Sequence, residues 1–219
     1  MNKKILQFSI LFIIWLLPFT YLANVYHQLP AKVATHFNIK GEPDGFGTPQ
    51  TVLINSIIIS GMSIFIFLVI KFLPLIDPKK KVKYSKTAFN KIAVMMVILI
   101  SVLNMVIINS SLNDAMKFPG NIMFLTLGLA WAYIGNLMPS MKPNYFVGIR
   151  TPWTLESENN WRATHNLGGK IWFIGGILLA ILCLILPASK ATIAFLSITT
   201  IIVFVPLIYS FIYYKNHKQ

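Results

Sequence analysis

The chain has 219 residues, of which 56% are apolar and only 11% are charged, and its mean hydropathy is +0.67. Soluble domains carry about 25% charged residues, so this composition excludes an ordinary soluble protein and indicates one embedded in a membrane. The net charge of +13 then indicates basic loops that face anionic lipid, rather than a surface that binds nucleic acid directly.

Six stretches are long and apolar enough, or nearly so, for the roughly 20 residues that a transmembrane helix needs. They cover residues 5–23, 52–73, 92–109, 121–139, 171–187 and 191–213, of which the third and fifth are short for a full crossing. The first follows two lysines, as a signal peptide would, but its apolar run is too long and Tyr21 occupies the place of a small residue before the cut. The sequence therefore predicts an all-α integral membrane protein with about six transmembrane helices, in a single domain over residues 1–219.

The basic residues predict the orientation of the chain. Fifteen of the 19 lysines and arginines fall at the N-terminus, in the second and fourth connections with their flanks, or in the C-terminal tail. Because positive residues collect on the cytoplasmic side of a membrane, both termini are predicted to be cytoplasmic in a multi-pass protein of the bacterial cell membrane. Residues 24–51 then form an extracellular loop, and residues 140–170 form a cytoplasmic one.

The extracellular loop is rich in glycine, proline and aspartate over residues 41–49, which predicts turns rather than a helix. The segment VATHF before them is typical of a short strand. Because ordered loops commonly carry recognition, we predict a binding surface there. Its candidate residues are His36, Asn38, Gly41, Glu42 and Asp44. The spacing of the histidine and the carboxylates matches no metal-ligand pattern, so no metal is predicted.

The cytoplasmic loop contains the start and stop signals of a helix. Thr151 is a candidate N-cap, Pro152 suits the first turn, and Gly168 and Gly169 supply a stop. We therefore predict a short amphipathic helix at the cytoplasmic interface, with its tryptophans at headgroup depth. Two roles are compatible with it, an anchor in the lipid or a surface that binds a protein.

Catalysis and ion coupling find no support in the sequence. The spans contain no Asp or Glu, and their only basic residue is Lys71, near an end, whereas ion-coupled transporters usually carry ionisable groups in their spans. The chain has a single cysteine, Cys183, and no nucleophile-elbow or HExxH signature. We therefore expect neither an enzyme nor a cofactor.

Two motifs point to a known family. The inner loop carries N-xxx-GIRTPWTL-xxxxx-W from Asn144 to Trp161, and the outer loop carries LPxxVxxHFNxxGEPD from Leu29 to Asp44. With its six spans, the chain resembles the SdpI family of bacterial immunity membrane proteins, and its outer loop is similar to the domain of unknown function that accompanies them. The candidate residues of the inner loop are Asn144, Gly148, Arg150, Thr151, Pro152, Trp153, Thr154, Leu155, Trp161 and His165.

The resemblance implies resistance to a secreted antimicrobial peptide toxin, which would be met at the extracellular face around His36–Asp44. It also implies a receptor role, in which the loop around Arg150–Trp161 sequesters a cytoplasmic transcriptional repressor once toxin is bound. Membrane lipids are the other expected partners. One alternative is a small-molecule or lipid transporter, which would be detected by substrate flux into vesicles. The other is an envelope-stress scaffold, which would not crosslink to a repressor when toxin is added.

Overall fold

A computed structural model describes residues 3–38, 42–76, 86–112 and 120–217 of the chain. The helices and strands of these residues are α1 (Lys3–Val25), β1 (Val33–Phe37), β2 (Pro43–Gly47), α2 (Pro49–Ile76), α3 (Lys86–Ser111), α4 (Gly120–Leu137), α5 (Pro152–Glu156), α6 (Glu158–Ile185) and α7 (Ala188–Asn216). Single 3-10 turns follow α1 and α4. One candidate residue, Gly41, lies outside the described residues.

Within the described residues six helices are long and apolar enough to cross a membrane, namely α1 to α4, α6 and α7, which confirms the all-α multi-pass fold. The two spans that looked short are full-length, since α3 has 26 residues and α6 has 28. Their surfaces carry exposed large apolar side chains, including Phe65, Ile174 and Leu184, as expected where lipid replaces water as the surrounding solvent. The end of the bundle at the β-strands is called the outer end below, and the opposite end the inner end, following the predicted orientation.

The fourth connection begins as predicted and then departs from the prediction. Thr151 caps α5 and Pro152 occupies its first turn, but α5 ends after five residues, at Glu156. The backbone is extended at Ser157, whose side chain accepts a hydrogen bond from the N–H of Asn160 and so caps α6. Residues 158–170 therefore belong to a membrane-spanning helix and not to the predicted loop.

The predicted stop at Gly168 and Gly169 was wrong, because both glycines lie within α6. A Cβ atom on Gly169 would lie 2.7 Å from the carbonyl oxygen of Gly135 in α4, so here glycine allows two helices to approach closely instead of ending one. The predicted exposure of the tryptophans to lipid headgroups does not hold for Trp161, which is 1% exposed and packs inside the protein.

The outer end carries an antiparallel hairpin, which confirms the strand predicted at VATHF. β1 and β2 pair from Val33 opposite Gly47 to Phe37 opposite Pro43, with irregular register around His36. Val33 is fully buried in an apolar cluster with Leu22 of α1, Val52 of α2 and Ile108 of α3. The hairpin is therefore fixed to the outer ends of three helices by its first residue.

Small and polar residues join the helices where apolar packing alone would not position them. The α4–α6 contact is made by glycines, since a Cβ on Gly128 would lie 3.1 Å from the backbone nitrogen of Ala180. The α2–α3 contact includes Asn104, whose amide donates to the hydroxyl oxygens of Ser56 and Ser60 at 3.0 and 3.1 Å. These contacts fix α4 against α6 and α2 against α3.

Candidate functional site

The inner loop folds around the side chain of Asn144, which is buried. Its Oδ1 accepts hydrogen bonds from the backbone N–H groups of Phe146 and Val147 at 2.9 and 2.8 Å. Its Nδ2 donates to the carbonyl oxygens of Lys142 and Val147, both at 3.0 Å. Because only an amide both donates and accepts in this way, asparagine is required here to shape the loop.

Gly148, Trp161 and His165 meet directly behind this turn. The backbone of Gly148 has a φ of +120°, and a Cβ there would meet the His165 ring and lie 3.1 Å from Trp161. The rings of Trp161 and His165 stack with centroids 4.0 Å apart, and the Trp161 Nε1–H donates to the carbonyl oxygen of Met141 at 2.8 Å. The loop is thus closed onto the first turns of α6.

Both ring nitrogens of His165 are hydrogen-bonded to backbone groups. Its Nε2 accepts from the N–H of Ile149 at 3.1 Å, and its Nδ1 lies 2.8 Å from the carbonyl oxygen of Trp161. Since an N–H donor faces Nε2, the ring is neutral with its proton on Nδ1. A histidine held this way positions the loop and has no nitrogen left for a metal or for proton transfer.

Thr151 and Thr154 form a reciprocal cap at the start of α5. The N–H of Thr151 donates to Oγ1 of Thr154 at 2.9 Å, and the N–H of Thr154 donates back to Oγ1 of Thr151 at 3.3 Å. Oγ1 of Thr154 also donates to the carbonyl oxygen of Ile149 at 2.9 Å. Both threonines are buried, so their hydroxyl groups stabilise the local structure of the loop.

Three residues that the sequence analysis did not single out connect this segment to the last helix. Ser210 of α7 accepts a hydrogen bond from Nε1 of Trp153 at its hydroxyl, at 2.7 Å, and one from Nδ2 of Asn160 at its carbonyl oxygen, at 3.0 Å. Thr164 donates to Oδ1 of Asn160 at 2.9 Å. We call the buried polar set from Asn144 to Ser210 the inner latch. It consists of Asn144, Thr151, Thr154, Asn160, Trp161, Thr164, His165 and Ser210.

Few residues of the inner motif are accessible to a partner. Arg150 and Pro152 are exposed, and Leu155 is partly buried. The guanidinium of Arg150 donates to the carbonyl oxygen of Tyr145, so it lies over the loop and still faces outward. A second exposed arginine, Arg162, pairs with Glu158 one helical turn away at 3.4 Å. The accessible part of the motif is thus a small surface centred on Arg150.

At the outer end the structure brings together four of the five predicted residues in two pairs. Nδ1 of His36 and Oδ1 of Asp44 lie 2.5 Å apart across the hairpin, with both side chains largely exposed. Asn38 donates from Nδ2 to a carboxylate oxygen of Glu42 at 3.0 Å and accepts from its backbone N–H. Across the described part of the chain, no three His, Cys, Asp or Glu side chains are grouped so that they could hold a metal.

A cavity of about 410 Å³ lies beside this hairpin. It is lined by Ala34, Thr35, His36 and Phe37 of β1, by Val52, Asn55, Ile58 and Ile59 of α2, by Ile107, Ser110 and Ser111 of α3, and by Met123 of α4. Most of its lining side chains are apolar, and the polar ones are Thr35, His36, Asn55, Ser110 and Ser111. We call it the outer cavity.

The outer cavity follows the edge of β1 that β2 leaves unpaired. Four consecutive residues of β1 line it, and no residue of β2 does. The described sheet has two strands, so β1 has a side that β2 does not pair, and the cavity lies against β1 alone of the two strands. An unpaired strand edge offers N–H and C=O groups to another chain, so this cavity combines a template for an extended peptide with an apolar floor.

Comparisons with known proteins divide the chain into the same two regions. Residues 140–210 match the model of the SdpI/YfhL protein family, and these limits enclose the inner latch from Asn144 to Ser210. Residues 13–59 match the model of a domain of unknown function, DUF1648, and enclose the hairpin together with the α2 wall of the outer cavity. The first matched region thus contains the inner latch, and the second contains the hairpin and part of the outer cavity.

A curated relative is the "Immunity protein SdpI" of Bacillus subtilis (strain 168). It is 33% identical to the chain over 61 residues, which are 28% of this chain and 30% of the relative. The chain thus aligns with less than a third of the length of this relative. No solved structure matches the chain significantly.

Proposed function

Because the chain belongs to the SdpI family of multi-pass cell-membrane proteins, we propose that it is an immunity protein that protects a bacterium from a secreted peptide toxin. The observation that carries this proposal is the outer cavity, which lies against the edge strand β1 at the outer end, the end that the predicted orientation would present to such a peptide. Extended backbone of the toxin would pair with β1, and its apolar side chains would enter among Val52, Ile59 and Ile107. No bond of the toxin needs to be broken, so protection proceeds without catalysis.

The apolar floor supplies the affinity in this mechanism. Burying apolar area contributes about 25 cal/mol per Å², so two or three side chains of the toxin suffice for firm capture once its backbone is paired. The exposed His36–Asp44 pair and the Asn38–Glu42 pair stand on the hairpin beside this cavity. They would select among toxins by the charge of the segment outside the cavity.

A receptor role at the inner end is the second part of the proposal. The surface around Arg150 is where a cytoplasmic repressor would bind, since Arg150 and Pro152 are the exposed residues of the motif and the others are buried or partly buried. α4 ends near this surface at Leu137, and α6 begins near it at Glu158. The two helices pack closely against each other at their glycines. For a signal to pass, the toxin must bind one arrangement of these helices more tightly than another. A ligand shifts the equilibrium between two conformations only if its affinities for them differ.

A challenge assay tests the function. A sensitive bacterium that produces the chain is exposed to purified peptide toxins, beginning with the sporulation-delaying toxin associated with the family, and the inhibitory concentration is measured. We expect the chain to raise the inhibitory concentration of the toxin. Ile59→Trp, which fills the outer cavity, should lower this protection by about tenfold or more. Arg150→Ala should keep the protection, because it lies at the opposite end of the bundle.

The matched control is Ile57→Trp, two residues away on the lipid-facing side of α2 and 52% exposed. It adds the same bulk outside the cavity and should protect as the unaltered chain does. Equal protection by both variants would rule out the outer cavity as the toxin site. No protection by the unaltered chain against any toxin, at confirmed membrane levels, would contradict the immunity function itself.

A further inference from the structure

A second cavity, of about 480 Å³, opens near the inner end on the side of α3 between α1 and α4. Its lining repeats at helical spacing on two helices, with Tyr133 of α4 at the side. The residues are Gln7, Ile10, Leu11 and Ile14 of α1, and Thr87, Asn90, Lys91, Val94 and Ile98 of α3. We call it the inner-leaflet cleft. It involves neither the inner latch nor the outer cavity.

The lining of this cleft changes from polar to apolar with depth. α1 and α3 both start at the inner end, so higher residue numbers lie deeper in the membrane. Gln7, Thr87, Asn90 and Lys91 come first, and the side chains beyond them on both helices are aliphatic. From its first to its last lining residue, α1 advances about 10 Å (Gln7 to Ile14) and α3 about 16 Å (Thr87 to Ile98). The longer of these distances is close to one leaflet of a hydrocarbon core about 30 Å thick.

The mouth of the cleft suits an anionic headgroup. Among the lining residues that the structure describes, Lys91 alone is charged and none is acidic. Within the part of the chain that the structure describes, the side chains of Gln7, Asn90 and Tyr133 have no hydrogen-bond partner. A phosphate accepts hydrogen bonds from ammonium, amide and phenol groups alike, so it would satisfy all of them at once.

The groove on the other side of α1 provides a contrast. Between α1 and α2 a cavity of about 360 Å³ is lined by Phe8, Leu11, Phe12, Trp15, Ile64, Phe67, Leu68 and Val97. All of these side chains are apolar or aromatic, and the Lys71 ammonium lies 5.6 Å from the centre of the Phe8 ring. The described lining of this groove therefore lacks the amide and phenol donors that stand beside Lys91 in the inner-leaflet cleft. We propose that the inner-leaflet cleft, by contrast, is a specific site for one anionic phospholipid of the inner leaflet, with the phosphate at Lys91 and Asn90 and an acyl chain along Ile14 and Ile98.

Native mass spectrometry of the full chain in detergent tests this site, with dioleoyl phosphatidylglycerol and dioleoyl phosphatidylcholine as probes. The two lipids have the same acyl chains and differ in the net charge of the headgroup. A difference between their affinities for the first bound lipid therefore reports the contribution of the headgroup. We expect phosphatidylglycerol to bind more tightly than phosphatidylcholine. Lys91→Gln should weaken the affinity for phosphatidylglycerol by about fivefold, the effect of one lysine near a lipid surface. Phosphatidylcholine should bind equally to both forms.

Two further variants complete the test. Lys215→Gln removes an exposed lysine at the inner end of α7, outside the cleft, and should leave both affinities unchanged. Ile14→Trp fills the apolar part of the cleft and should weaken both lipids, which separates a lipid site from a site for free phosphate. The proposal is overturned if the two lipids bind the unaltered chain equally, if the two lysine variants behave alike, or if Ile14→Trp changes nothing.

Discussion

Trp161→Ala is expected to lower the free energy of unfolding by about 4 kcal/mol, the largest effect of any single change in the inner latch. Trp161 is the largest fully buried side chain of the described residues. Its removal leaves a cavity beside His165, ends the ring stacking at 4.0 Å, and leaves the carbonyl oxygen of Met141 without its donor. Unfolding in mixed micelles, followed by circular dichroism, measures the loss.

Two variants show whether this loss has the stated cause. Trp161→Phe keeps an aromatic six-membered ring and loses the five-membered ring with its Nε1–H. We therefore expect a smaller loss of about 2 kcal/mol, from the unsatisfied carbonyl group and a smaller cavity. Arg162→Ala, at the next position on the exposed face of α6, should change stability by no more than about 0.5 kcal/mol. If Trp161→Ala cost no more than Arg162→Ala, the inner latch would not be part of the folded core.

Gly135→Ala is expected to cost about 3 kcal/mol by forcing α4 and α6 apart. The added Cβ would lie 2.5 Å from the backbone nitrogen of Phe173 and 2.7 Å from the carbonyl oxygen of Gly169. Neither atom belongs to a side chain that could rotate away. The strain therefore falls on the helix–helix contact that also positions the start of the inner loop.

Gly61→Ala is the matched control for this prediction. Gly61 also lies within a membrane-spanning helix, α2, but a Cβ there would meet nothing within 4 Å. Alanine favours a helix over glycine by up to about 1 kcal/mol, so the change should be neutral or stabilising. Equal losses at the two positions would mean that the close approach of α4 and α6 contributes nothing to stability.

The membrane-spanning framework could be predicted because it depends on local composition. Each span is a run of apolar residues long enough to satisfy its own backbone hydrogen bonds in lipid, and no distant partner is needed to recognise it. The strand at VATHF was predictable for a similar reason, since β-branched and aromatic residues before a cluster of turn formers mark a hairpin locally. The cap at Thr151 and Pro152 is equally local.

The packing of the inner end could not be predicted in the same way. Gly168 and Gly169 carry the signature of a helix stop, and only the approach of α4 at Gly135 makes them part of a helix interior. Asn160 and Thr164 lie one turn apart and could have been recognised as a polar pair. Ser210 gave no signal, because its partner Trp153 is 57 residues away in the sequence.

The account depends most on the claim that the hairpin faces the outside of the cell and the inner latch faces the cytoplasm. Cysteine labelling in intact cells tests it, in a Cys183→Ala background. Phe46→Cys, at an exposed position of β2, should react with a membrane-impermeant maleimide, whereas Tyr145→Cys in the inner loop should react only after the cells are permeabilised. Labelling of Tyr145→Cys in intact cells, with Phe46→Cys protected, would contradict the orientation and the division of roles between the two ends.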